Sequence, residues 1–238
     1  MALDYRDVNL SARGLAGAGL QDGTLTALTV APSWGLAYAF AAGPTVRLTR
    51  IEFFVSGSAE RGIDALGGHF EYTQNQLAML STLYFGRAPH SDALFVRYRQ
   101  GFGVSSGGTP LLRLFRLGGV ETVAGLEYGE VVAAKFGFRQ VELGVSLAAL
   151  GLTPPNEPIA DFSPAGAYVK LFYDTAWVTS SHGFAQLFSA SPGLEGYGFG
   201  LEFRKLDGSL AITIGYAFSP DSLRHRSGTF FTGVALFF

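Results

Sequence analysis

The residues able to do chemistry are few and badly spaced for it. Four histidines, His69, His90, His182 and His225, are scattered without metal-ligand spacing, and the chain has no cysteine, which removes thiolate metal sites and disulfides. Gly196-Tyr197-Gly198-Phe199-Gly200 has the glycine content of a phosphate cradle. Its glycines alternate with aromatics as in a strand, however, and a cradle needs a strand-to-helix turn. No Gly-x-Ser-x-Gly elbow occurs. Glu157, Asp161 and His182 form an acid/base combination on paper, but the pattern places them in connections at opposite ends of the fold. The remaining charges, Glu52, Glu71, Arg97, Arg99, Glu142, Lys170, Asp174, Glu202 and Arg204, alternate with large apolar residues. They read as the lining of a lumen. No enzyme activity, cofactor or metal is expected.

The elements that position those charges are strands. From Tyr197, the residues Tyr197, Phe199, Leu201 and Phe203 alternate with Gly198, Gly200, Glu202 and Arg204. After a Leu206-Asp207-Gly208 turn the alternation resumes through Leu210, Ile212, Ile214, Tyr216 and Phe218. A period of two puts the large residues on one face. A soluble sheet buries such a face against a second layer; a transmembrane barrel turns it to lipid and keeps the small and polar face inside. Composition favours the barrel. Hydrophobic residues are 48% and charged residues only 15%, with 32 Gly and 21 Phe, yet no run is long and apolar enough for a helical span. A net charge of −2 gives no field for nucleic acid.

Taken in order, the expected strands run about Leu3 to Ala18 (weakly patterned), Thr24 to Phe40 with a break at Pro32, Thr45 to Ser56, His69 to Phe85, Ala93 to Val104, Phe136 to Leu150, Ala165 to Val178, the pair from Tyr197 to Phe218, and Ser227 to Phe238. Glu71, Thr73 and Asn75 are expected to face inward on the fourth, with a parity slip near Leu77. Trp177, Tyr216 and Phe218 are expected in an interface girdle. The fold class is thus an all-β, antiparallel transmembrane barrel of about ten strands, one domain over 1–238, with a long loop at about 105–135 folding inward. Short connections at 41–44, 87–91 and 206–209 fall on the side of Phe238, and long ones at 57–67, 105–135, 179–193 and 219–226 on the other, as in outer-membrane barrels with short periplasmic turns. The connections 19–23 and 151–164 do not fit that rule. The first residues lack the basic start and apolar core of a signal peptide, so the chain is expected to be mature or cut from something longer.

Phe115-Arg116-Leu117-Gly118-Gly119, followed by Val123-Ala124-Gly125-Leu126, resembles the long-loop motif of the BamA/TamA-type outer-membrane family, the bacterial surface antigen family, which reads Phe-x-Leu-Gly-Gly and then Val-Arg-Gly-aromatic. Glu142 stands where that family carries an inward glutamate. Phe172-Tyr173-Asp174-Thr175-Ala176 is similar to its Phe-x-Asp-x-Gly strand, except at Ala176. Phe231, Gly233, Leu236 and Phe238 have the spacing of its C-terminal assembly signal, with position 231 more usually polar. The resemblance covers about Ala93 to Phe238. It implies a bacterial outer-membrane location, contacts with outer-membrane lipid and the barrel-assembly machinery, and a role in inserting or translocating client outer-membrane proteins. That role would act through a seam between about Leu3–Ala18 and Ser227–Phe238. The alternative is a non-catalytic small barrel acting as a plugged pore or an anchor for a partner. The family barrel has sixteen strands, so this chain is expected to be a reduced barrel or the C-terminal part of a larger one. The family's loop arginine, which pairs with acidic groups including the position of Asp174, is Ala124 here. Lys170, Arg97, Arg99 or Arg116 is expected to compensate.

Overall fold

The computed structural model describes residues 2–10, 23–41, 44–62, 71–87, 90–106, 108–109, 113–119, 122–152, 162–179, 193–205, 210–222 and 228–236. The strands are β1 (Ala2–Leu10), β2 (Gly23–Ala31), β3 (Ser33–Ala39), β4 (Arg47–Gly62), β5 (Tyr72–Arg87), β6 (His90–Ser105), β7 (Phe115–Leu117), β8 (Val131–Ala133), β9 (Lys135–Ser146), β10 (Phe162–Thr179), β11 (Leu194–Lys205), β12 (Leu210–Phe218) and β13 (Thr229–Leu236). One antiparallel sheet runs in the order β1-β2-β4-β5-β6-β9-β10-β11-β12-β13. Pro32 interrupts the second member, and β3 continues its line along β4. A proline cannot donate to the ladder, which is why the strand breaks there. The sheet therefore has ten positions, the number counted from the alternation. Among the described residues β1 and β13 form its two ends and are not paired with each other.

The sheet is curled, with two different faces. Leu171, Tyr173, Tyr197, Phe199 and Ile214 are exposed on the convex side, while Glu142, Lys170, Phe172, Asp174 and Glu202 are buried on the concave side. Of the first expected strand, Leu3 to Ala18, the part up to Leu10 is strand, and residues 11–18 lie outside the described residues. On β5 the facing differs from expectation: Tyr72, Thr82 and Tyr84 are buried, whereas Glu71 and Thr73 are exposed. Pairing with β6 is continuous from Gln74 to Phe85, so no parity slip occurs at Leu77. The two tyrosines are what turn this strand. Each has a hydroxyl that reaches a lumen carboxylate, Glu60 for Tyr72 and Glu52 for Tyr84, so an amphipathic ring takes the inner side.

Glycine and aromatic residues are register partners across the lumen wall. Phe95 lies opposite Gly144, Phe138 opposite Gly101, Phe136 opposite Gly103, Phe172 opposite Gly198 and Phe231 opposite Gly215. In each pair the ring occupies the space a side chain at the glycine would need; a Cβ on Gly144 would stand 2.0 Å from the Phe95 ring. This aromatic cover compensates the missing side chain and pins the register. Trp177 follows the same rule on the convex side, where its indole lies over Gly137. It is therefore only 5% exposed, rather than open to lipid as its strand parity alone implied.

Candidate functional site

Two arrangements fill the concave face. The first is the segment between β6 and β9. Its short hairpin β7–β8 pairs Phe115 with Ala133 and Leu117 with Val131. Phe115 packs on Phe136 at 4.7 Å between ring centroids. Beyond Leu117 the chain turns through Gly118 and Gly119, at φ 122° and 79°, conformations open mainly to glycine. The Gly118 N–H donates to Thr122 Oγ1, and the Gly119 N–H to the Leu126 carbonyl at 2.8 Å. The tip, Val123-Ala124-Gly125, is buried against β10, β11 and the end of β12. The Ala124 N–H donates to Asp174 Oδ2 at 2.8 Å. A Cβ on Gly196 would meet the Ala124 carbonyl at 2.2 Å, and one on Gly125 would meet the Phe218 backbone at 2.5 Å.

Asp174 is fully buried. Its expected cation is not what meets it. Lys170 and Arg97 bind other carboxylates, Arg116 is exposed, and Arg99 stands over the Phe138 ring at 5.4 Å. The carboxylate takes the Ala124 main-chain N–H instead, and Gln140 stands directly opposite it on β9. A charge-assisted bond from a main-chain N–H is among the stronger hydrogen bonds, and it does not depend on the side chain at position 124.

A cation does hold this segment, from a residue no motif signalled. Arg113, just before β7, grips Glu60 of β4 with Nε at 3.0 Å and with Nη2. Tyr72 and Thr29 donate to the same carboxylate, and Gln74 donates to the Arg113 carbonyl at 2.7 Å. Burial pulls the Arg113 guanidinium down, and its bonds to Glu60 and Tyr72 more than offset this, so it sits above the ordinary arginine value. The segment is thus tied to β4 at its stem and to β10–β12 at its tip.

The second arrangement is a chain of ion pairs deeper in the lumen. Arg97 meets Glu142 at 2.7 Å and both oxygens of Glu202 at 3.2 Å. Lys170 bridges the same two acids at 3.2 and 3.4 Å, and Arg204 Nε lies 2.7 Å from Glu202. Arg204 also donates to the Tyr84 hydroxyl, which donates to Glu52 at 3.0 Å; Arg50 then joins Glu52 and Asp92 at 3.2 and 3.1 Å. Four cations and four carboxylates alternate from β4 to β11, so the chain is neutral overall. The rings of Phe95 and Tyr168 flank Arg204 at 4.8 and 4.9 Å. Every acid here has a cation, and nothing resembles a poised acid/base pair or a metal cage; among the described residues no acidic or histidine cluster has metal spacing.

Of the other sequence-derived residues, Phe231 lies on the concave side against Phe172, at 5.6 Å between centroids, and Gly233 opposes Thr213. Leu236 ends β13. Phe238, His69, His182, His225, Glu157, Asp161 and the turns at 19–22 and 206–208 lie outside the described residues.

No family model and no curated protein matches the chain. Solved structures do. BamA from Haemophilus ducreyi, lacking POTRA domains 1–3, aligns over 98% of this chain with a TM-score of 0.50 and 12% identity. The fold is that of a BamA-type barrel. CdiB from Acinetobacter baumannii aligns over 98% of this chain and 46% of its own, with a TM-score of 0.34 and 14% identity. The chain spans 57% of the length of the BamA structure it matches. In this BamA-type sheet the inward segment leaves from the middle, between β6 and β9, and reaches strands on both sides.

Proposed function

We propose that this chain is a non-enzymatic barrel of the bacterial outer membrane that assists insertion or translocation of client outer-membrane proteins, working at the ends of its sheet rather than through its lumen. The observation that carries this reading is the pair of sheet ends: among the described residues β1 pairs only with β2 and β13 only with β12, so each has an edge without a strand partner. Unpaired edge groups in lipid have to find partners, and a client strand is one.

The segment Phe115–Gly125, with Asp174 and Glu142 behind it, serves in this account as the lumen closure and brace. Phe231, Gly233, Leu236 and Phe238 serve as the signal for the barrel-assembly machinery. The filled lumen also favours the second reading, a plugged barrel that anchors a partner.

The test is a folding assay. Liposomes containing the full chain should speed the folding of a small unfolded barrel client, scored by heat-modifiable gel mobility, by about tenfold or more over empty liposomes. Equal rates in both would overturn the insertion reading and leave the anchor.

A further inference from the structure

We propose that Arg139, Gln100 and Trp177 form a binding site for the phosphate of a lipid headgroup on the convex face of β6, β9 and β10. The inference rests on the reading that this face meets an outer-membrane bilayer. Along β9 the outward positions run Val145, Leu143 and Val141, and then Arg139, Gly137 and Lys135. The register sets Tyr98 and Tyr173 on either side of Val141, and Gln100 and Thr175 on either side of Arg139. On β9 the outward row thus changes from apolar to charged over one step, flanked by Tyr98 and Tyr173 at the last apolar level and by Phe102 and Trp177 beside Gly137 beyond it. That is the signature of a membrane–water boundary. The change lies toward the long connections, the outer end of the barrel.

Three hydrogen-bond donors lie within one register step of each other there: Arg139, Gln100 opposite it, and Trp177 opposite Gly137. The Arg139 guanidinium is exposed and lies 5.1 Å over the Trp177 ring. It makes no ion pair among the described residues. Trp177 is held down by Gly137, and its Nε1 is buried with no partner. The Tyr98 hydroxyl donates to Gln100 Oε1 at 2.8 Å, which engages the acceptor end of the amide and leaves its NH2 end to donate. Lys135 adds positive charge farther out on the same strand face. The acid at this level, Glu195, lies beyond Thr175 and is engaged by the Tyr173 side chain. A stacked guanidinium beside an amide donor suits a phosphate, whose several oxygens accept at once. An arginine at a bilayer boundary reaches for the headgroup layer in any case.

The experiment uses the full chain in phosphate-free dodecyl maltoside micelles doped with lipid A, either phosphorylated or enzymatically dephosphorylated, with bound lipid counted by native mass spectrometry. The wild type should retain the phosphorylated form about tenfold better. Arg139→Gln should erase that preference, while Arg61→Gln, at an exposed pair with Glu71, should keep it. Trp34→Phe leaves Trp177 as the sole tryptophan, and its emission should shift with the phosphorylated lipid alone. Equal retention of both lipids by the wild type, or an unchanged preference in Arg139→Gln, overturns the site. Either result leaves the client-folding assay unaffected, and a negative folding assay leaves the site standing.

Discussion

The main-chain N–H of Ala124, at the tip of the inward segment, donates to Oδ2 of Asp174 on β10 at 2.8 Å. The bond fixes where the tip of the inward segment sits, and it does so through backbone. Asp174→Ala should leave a buried N–H without an acceptor and cost about 1–3 kcal/mol. Asp174→Asn keeps a carbonyl acceptor and should cost less. Urea unfolding of the refolded barrel in detergent, with both variants side by side, checks the order.

At the other end of the segment, Arg113→Ala should strand Glu60 and free the stem. Arg113→Lys should behave nearly as badly, since a point charge cannot reproduce the two-pronged grip on Glu60. The expected loss is about 1–2 kcal/mol, and limited proteolysis should cut the stem near residues 106–114 faster in both variants than in the wild type.

The ion-pair chain is balanced, so its removal and its unbalancing differ. Glu202→Gln takes one carboxylate from the reach of Arg97, Lys170 and Arg204. Breaking such a buried set by removing one partner costs about 3–5 kcal/mol. Replacing Glu202 and Arg204 together by Gln and Met keeps the charges even and should recover a large part of the loss. Denaturant midpoints of the single and double variants decide this.

Deleting residues 115–126 removes the tip and one strand of the hairpin. Planar-bilayer recordings should then show conductance steps that the wild type lacks, because the aromatic and loop side chains that fill the concave face are gone. Identical traces would mean that the ion-pair chain alone seals the lumen.

Alternation carried most of the fold, because an outward-facing row of Val, Leu, Tyr and Phe beside a Gly and charge row is unambiguous on β9 to β12. It failed on β5, where both rows contain polar residues and the inward ones are tyrosines. The period sets which residues share a face, but not which face is inside. Phe115 to Gly125 was legible as a motif. Arg113 and Glu60, 53 positions apart, carry no local signature. A main-chain donor such as the Ala124 N–H is present at nearly every residue, so no sequence could single it out as the partner of Asp174. The glycine–aromatic pairs were equally hidden, since they exist only once the register is known.

In the proposed function the two ends of the sheet do the work. The chain has no native cysteine, so one cysteine in Ala2–Leu10 and one in Thr229–Leu236 can be joined by oxidation and released by reductant. In the client-folding assay the oxidised protein should lose its acceleration and regain it on reduction. Acceleration that persists with the ends locked together would contradict the claim.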